Sequence, residues 1–262
     1  MSYYPILAAP YCKSRVTLYN FPPNNWEYSN ETNQYIHHSF IKDGKWNHEL
    51  IDELSFGKCK IIDPSSCDIS LSKDSINLLS LSEVKLPNTS KILPKLSTTK
   101  TNKPDWRSTL ELFSDSSKTS YQGEINPFPS MASLLTFAPF LQFGTHVENY
   151  LLLLSLEAKP INRQVLLEIY DAKTKIIIAT EAVFSNKINI ISLNGKGITD
   201  KILPVVICRE MAAIPLYFSC ANQGEFLSLE HTHPPASLVV HGNCFSAQKY
   251  LKEYWLSECK LP

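Results

Sequence analysis

Between Tyr150 and Gly242 the sequence runs through eight short apolar segments joined by links too brief to hold a helix. These are Tyr150–Glu157, Gln164–Tyr170, Lys175–Phe184, Ile188–Leu193, Ile202–Cys208, Ile214–Cys220, Phe226–His233 and Ser237–Gly242. Turn chemistry separates them at Asp171–Thr174, Ser185-Asn186, Asn194-Gly195 and Asn222–Gly224. Parallel neighbours need a crossover of a dozen or more residues, so links this short demand antiparallel pairing. The spacing therefore predicts an antiparallel β-sandwich, Ig-like or jelly-roll-like, over residues 105–262. A C-terminal helix over Ser246–Cys259 closes it, with Ala247, Tyr250, Leu251, Tyr254 and Trp255 on one stripe and Ser246 able to cap the first turn.

The first part of the chain reads as a second, smaller β-rich domain over residues 1–84. Ser14–Phe21 alternates and stops at Pro22-Pro23, and Tyr35–Ile41 meets Asp43-Gly44, a strong hairpin signal. Lys58–Ile62 is a further strand. Trp46–Phe56 is open between strand and helix, because Leu50, Ile51 and Leu54 have helical spacing. Residues 85–104 are rich in Pro, Thr, Ser and Lys and read as a linker or a long surface loop, first cut by trypsin at Lys91, Lys95 or Lys100. No internal repeat is evident.

Composition narrows the function classes. With 25 basic and 25 acidic residues the formal net charge is zero, so no global field attracts nucleic acid or an anionic membrane. Only 8 glycines stand against 17 prolines, and none forms a GxGxxG, a GxxxxGK[ST] or a GxSxG. The usual cradles for dinucleotides and triphosphates and the nucleophile elbow are thus missing. The 7 cysteines are odd in number and widely spaced without a CxxC, which argues against a disulfide framework or a zinc ribbon. No signal-peptide pattern opens the sequence and no apolar run approaches the ~20 residues of a membrane span, so a cytoplasmic location is expected.

Two places offer chemistry. His231, His233 and His241 lie within one short stretch, and His231 and His233 project from the same face of a strand. A facing His241 would complete a three-imidazole site for a divalent transition metal, if its register places it opposite His231. Otherwise the histidines are satisfied by hydrogen bonds and no cofactor is expected. The second place gathers Trp106, Arg107, Tyr121 and Glu124, aromatic and charged groups suited to a glycan or protein ligand. His37 and His38 face opposite ways on a strand and make a poor ligand pair. The reading these residues support is a binding or interaction module for a protein or glycan. A metal-dependent enzyme on the three histidines and a structural or assembly protein are the alternatives.

Overall fold

The computed structural model describes residues 3–21, 32–72, 74–95, 108–138, 141–231 and 244–260. The protein is mainly β with one C-terminal helix, and every strand pairing among the described residues is antiparallel. It divides into two compact units, residues 1–127 with 156–161, and residues 128–155 with 162–262.

The first unit holds β1 (Tyr3–Ile6), β2 (Lys13–Asn20), β3 (Gln34–Lys42), β4 (Lys45–Leu54), β5 (Lys58–Ile62), β6 (Asn77–Ser82), β7 (Thr89–Ser90), β8 (Thr109–Phe113) and β9 (Lys118–Gln122). They form two sheets, ordered β1-β6-β3-β4-β7 and β5-β2-β8-β9. Alternation sorts the faces: in β2, Val16 and Leu18 are buried while Arg15, Thr17 and Tyr19 are half-buried. Asp43 and Gly44 both take positive φ, as a two-residue hairpin link between β3 and β4 requires. The open reading of Trp46–Phe56 resolves as strand, since pairing with β3 across that turn outweighs the helical spacing of Leu50, Ile51 and Leu54.

The second unit holds β10 (Leu134–Phe137), β11 (Val147–Leu154), β12 (Gln164–Asp171), β13 (Ile177–Phe184), β14 (Ile188–Ser192), β15 (Pro204–Cys208), β16 (Ile214–Ala221), β17 (Phe226–His231) and α1 (Cys244–Glu258). Its sheets run β10-β15-β12-β13 and β14-β11-β16-β17. One apolar core joins them: Leu134, Leu167, Ile169, Val183 and Val206 from the first sheet meet Leu151, Leu153, Ile191 and Tyr217 from the second. The other face of the β10-β15-β12-β13 sheet carries Leu135, Phe137, Tyr170, Val205 and Ile207, and α1 lies on it through Trp255 and Leu256, with Cys259 just beyond its end.

The single sandwich expected over residues 105–262 is not what forms. The strands build four small, blade-like antiparallel sheets, and β8 and β9 pair into the sheet of β2 and β5. Spacing along the chain dictates antiparallel neighbours but not which neighbour, and strands here alternate between sheets. The helix also departs from expectation. Tyr250, Leu251 and Tyr254 of the expected stripe are exposed, and the buried side is set by Trp255, Leu256 and Cys259.

A repeat invisible in the sequence is plain in the topology. With the two-residue β7 set aside, each unit has eight described strands, ordered first-sixth-third-fourth in one sheet and fifth-second-seventh-eighth in the other. The chain is a tandem pair of one strand plan.

Candidate functional site

Two polar assemblies among the described residues, one in each unit, are candidate sites. The first lies on one face of the β1-β6-β3-β4-β7 sheet. Direct cross-strand partners share a face, and the register aligns Tyr3, Ser80 and His37 in one row and Leu78, Ser39 and His48 in the next. Trp46 precedes His48 by two positions on the same face. Tyr3, His37, Ser39, Trp46, His48 and Ser80 are all buried.

Residues 86–94 and 156–161 cross this face and bond to it. Leu86 N–H donates to His37 Nε2 at 3.1 Å, the Tyr3 hydroxyl donates to Pro94 O at 2.7 Å, and Trp46 Nε1–H donates to Ala158 O at 2.9 Å. Leu93 N–H reaches Ala158 O at 2.8 Å, tying the two segments together. His48 Nε2 lies 2.9 Å from Ser90 Oγ and its Nδ1 2.8 Å from Ser39 Oγ. The direction of this chain follows from its end. Ser90 spends its proton on Ile92 O at 2.8 Å, so His48 Nε2 is the donor there. Burial pushes the pKa of His48 down to about 4, which leaves the ring neutral and its Nδ1 an acceptor for the Ser39 hydroxyl.

On the opposite face His38 Nε2 meets Asn77 Oδ1 at 3.2 Å, and its Nδ1 stands 3.6 Å from the Glu49 carboxylate. His37 and His38 thus point apart, as a strand requires, but each belongs to its own network. The Asp43-Gly44 turn was the available signal for the first of these. Folding the hairpin about it pairs Ser39 with His48.

The second assembly is a cleft at one end of the second unit, about 90 Å³ in volume. Leu141, Phe143, Val147, Leu193 and Ile198 give it apolar walls, and Gln142, Asn149 and Asn194 line it with amides. Asn149, buried in β11, organises both flanking loops. Its Nδ2 donates to Gln142 O at 2.7 Å, and its Oδ1 accepts from Gln142 N–H at 3.2 Å and from the Ser219 hydroxyl at 2.6 Å. Asn194 holds the other loop: its Oδ1 accepts from Asn149 N–H at 2.7 Å and its Nδ2 donates to Val147 O at 2.8 Å. Gly195 turns that loop at φ +73°, a conformation that suits glycine.

Of the residues singled out in the sequence, His231 ends β17, exposed, with Leu216 as its cross-strand partner. Glu230 pairs with Tyr217, one position away and so on the other face. His233 and His241 lie outside the described residues, as do Trp106 and Arg107. Among the described residues no group of three His, Cys, Asp or Glu side chains could hold a metal ion. Tyr121 is buried, and its ring lies so close over Gly123 that a Cβ there would strike the phenol. Glu124 is half-buried, and its charge helps push the pKa of the buried Tyr4 up to about 12, behind burial itself. No described helix is long and apolar enough to cross a membrane.

The fold and its clefts define a tandem antiparallel β protein with a helix packed on its second unit. No family model, curated protein or solved structure matches the chain.

Proposed function

We propose that the chain is a binding module for a protein ligand, gripped at the loop end of the second unit. The observation that supports this reading is the cleft between residues 141–144 and 193–198, whose walls are set in place by Asn149 and Asn194 before anything binds. Such preorganisation cuts the ordering cost of association. At about 90 Å³ the cleft is well below the roughly 300 Å³ at which small-molecule pockets begin. Its size and apolar walls suit a single side chain projecting from a larger partner, with Phe143, 48% exposed, as a rim contact. Protein is favoured over glycan because the described lining has one aromatic ring and no charged group to hold a sugar.

Peptide libraries displayed on phage and a glycan array, both probed with the full chain, test the proposal. Enriched peptides should share one apolar anchor residue, and Phe143→Ala should weaken their binding by about tenfold or more, the scale of a lost interface hot spot. Hits confined to the glycan array, or peptides indifferent to Phe143→Ala and to Leu193→Ala, would overturn it.

A further inference from the structure

We propose that residues 86–94 form an acid-released strap on the His37–His48 face of β1-β6-β3-β4, with the neutral rings of His37 and His48 as its pins. The strap is held by backbone pairing of Thr89 and Ser90 with β4, by the Tyr3 hydroxyl on Pro94 O and by two imidazoles, and each imidazole uses one bare ring nitrogen as an acceptor. His37 Nε2 accepts from the Leu86 amide at 3.1 Å, and an amide cannot turn round to accept. A proton on that nitrogen sets donor against donor and breaks the bond. His48 is committed as well. Its Nε2–H serves Ser90, inside the strap, and its Nδ1 accepts from Ser39, which is fully buried. A second proton there forces the Ser39 hydroxyl to reorient where no water reaches it.

The charged surroundings add to this. Lys85, at the foot of the strap and stacked over the Tyr35 ring at 5.2 Å, repels a positive His37, and His37 and His48 repel each other. Further ionisable groups on the elements packed here include Tyr3 and Tyr4 on β1, Lys42 on β3, Lys45, Asp52 and Glu53 on β4 (Glu53 directly opposite Tyr35), Lys91 on the strap, and Glu157 and Lys159 on the crossing segment. Glu49, the carboxylate of β4 nearest an imidazole, faces His38 on the other side of the sheet.

The sign follows from which state prefers the proton. Burial lowers the pKa of both histidines, that of His48 to about 4 from an ordinary 6.5. The opened strap therefore binds more protons than the closed one. Its hold is complete above about pH 6.5 and is lost progressively as pH falls from there towards 4. At pH 5, linkage through His48 alone amounts to a factor of roughly 30 in the opening equilibrium, and His37 adds in the same direction.

Hydrogen exchange by mass spectrometry on the full chain from pH 7.5 to 4.5, corrected for intrinsic rates, reads this directly. Peptides over residues 84–94 should lose at least tenfold protection by pH 5, while peptides over β15 and β16 hold theirs. A glutamine can accept the Leu86 amide without titrating, so the His37→Gln, His48→Gln double variant should hold the strap across the range. No loss, an equal loss in both units, or an acid loss that persists in the double variant would overturn the proposal. Should that variant not fold, the imidazole titrations of the unaltered chain decide by NMR. Midpoints below about 5.5 for His37 and His48 support the pins, and midpoints near 6.5 or above sink them.

Discussion

At the scale of single residues, Trp46 shows how much one side chain does here. It is fully buried, and its indole N–H supplies the donor for Ala158 O, the same carbonyl that accepts Leu93 N–H. Phenylalanine in its place keeps most of the apolar area but removes that donor and leaves a gap beside it. Trp46→Phe should cost about 1–3 kcal/mol, measured as a lowered urea midpoint at unchanged slope. An unchanged midpoint would mean that the Leu93 amide alone satisfies Ala158 O. Little of this was legible beforehand. The alternation of β3 correctly sent His37 and His38 to opposite faces, yet the partners of each ring come from strands and loops far along the chain. Ser80 and Leu86 join His37 only once β6 and the strap are in place, and no local pattern announces such a meeting. The cleft was hidden for the same reason: Asn149 and Asn194 look like ordinary turn-forming amides until β11 and β14 lie side by side.

At the scale of elements, the seating of α1 depends on one buried ionic group. Glu168 is buried under the helix, where the Tyr170 hydroxyl donates to it at 2.7 Å and Arg209 Nε lies at 3.2 Å. The same guanidinium donates to Leu256 O at 2.8 Å and to Cys259 O, so it caps the free carbonyls at the end of the helix. Arg209→Met leaves a buried carboxylate without its cation and strips the cap. Breaking a buried pair costs about 3–5 kcal/mol; because Arg209 is about one-third exposed, roughly 2–3 kcal/mol is expected. Adding Glu168→Gln should recover part of the loss, since the charge is then gone. A double variant worse than Arg209→Met alone would show that Glu168 is not what the arginine neutralises. The helix itself was readable from its spacing, but its buried side was only partly so. Of the stripe that periodicity offered, Trp255 packs on the sheet beneath, joined there by Leu256, whereas Tyr250, Leu251 and Tyr254 stay outside, with Lys175 Nζ 4.8 Å from the Tyr254 ring.

At the scale of the whole molecule, strand content and antiparallel pairing were legible because short links permit nothing else. The repeat was not, because the two units clothe the same plan differently. On the matched sheets, a covered face is polar in one unit, with His37, Ser39, His48 and Ser80, and apolar in the other, with Leu135, Tyr170, Val205 and Ile207. Matching strands therefore share position without sharing chemistry. The units are also not successive halves, since Leu156–Ile161 belongs to the first although it lies between β11 and β12 of the second. Replacing Leu156–Ile161 by a glycine-serine stretch of equal length should loosen the strap of residues 86–94 while β11, β12 and β16 stay protected in hydrogen exchange. Uniform loss in both units would show that the segment is needed throughout.

That displaced segment bears on how the chain is made. A ribosome adding roughly 5–20 residues per second releases all nine strands of the first unit well before it delivers Ala158, the acceptor for Trp46 and Leu93. For that interval a nascent chain carries a finished set of strands around an unfinished cover, with an indole and a backbone amide still waiting. The first unit is thus completed only after β10 and β11 of the second have been made, and a stalled or prematurely ended translation product should be recognised and degraded as incomplete even when it contains every residue up to Ser155.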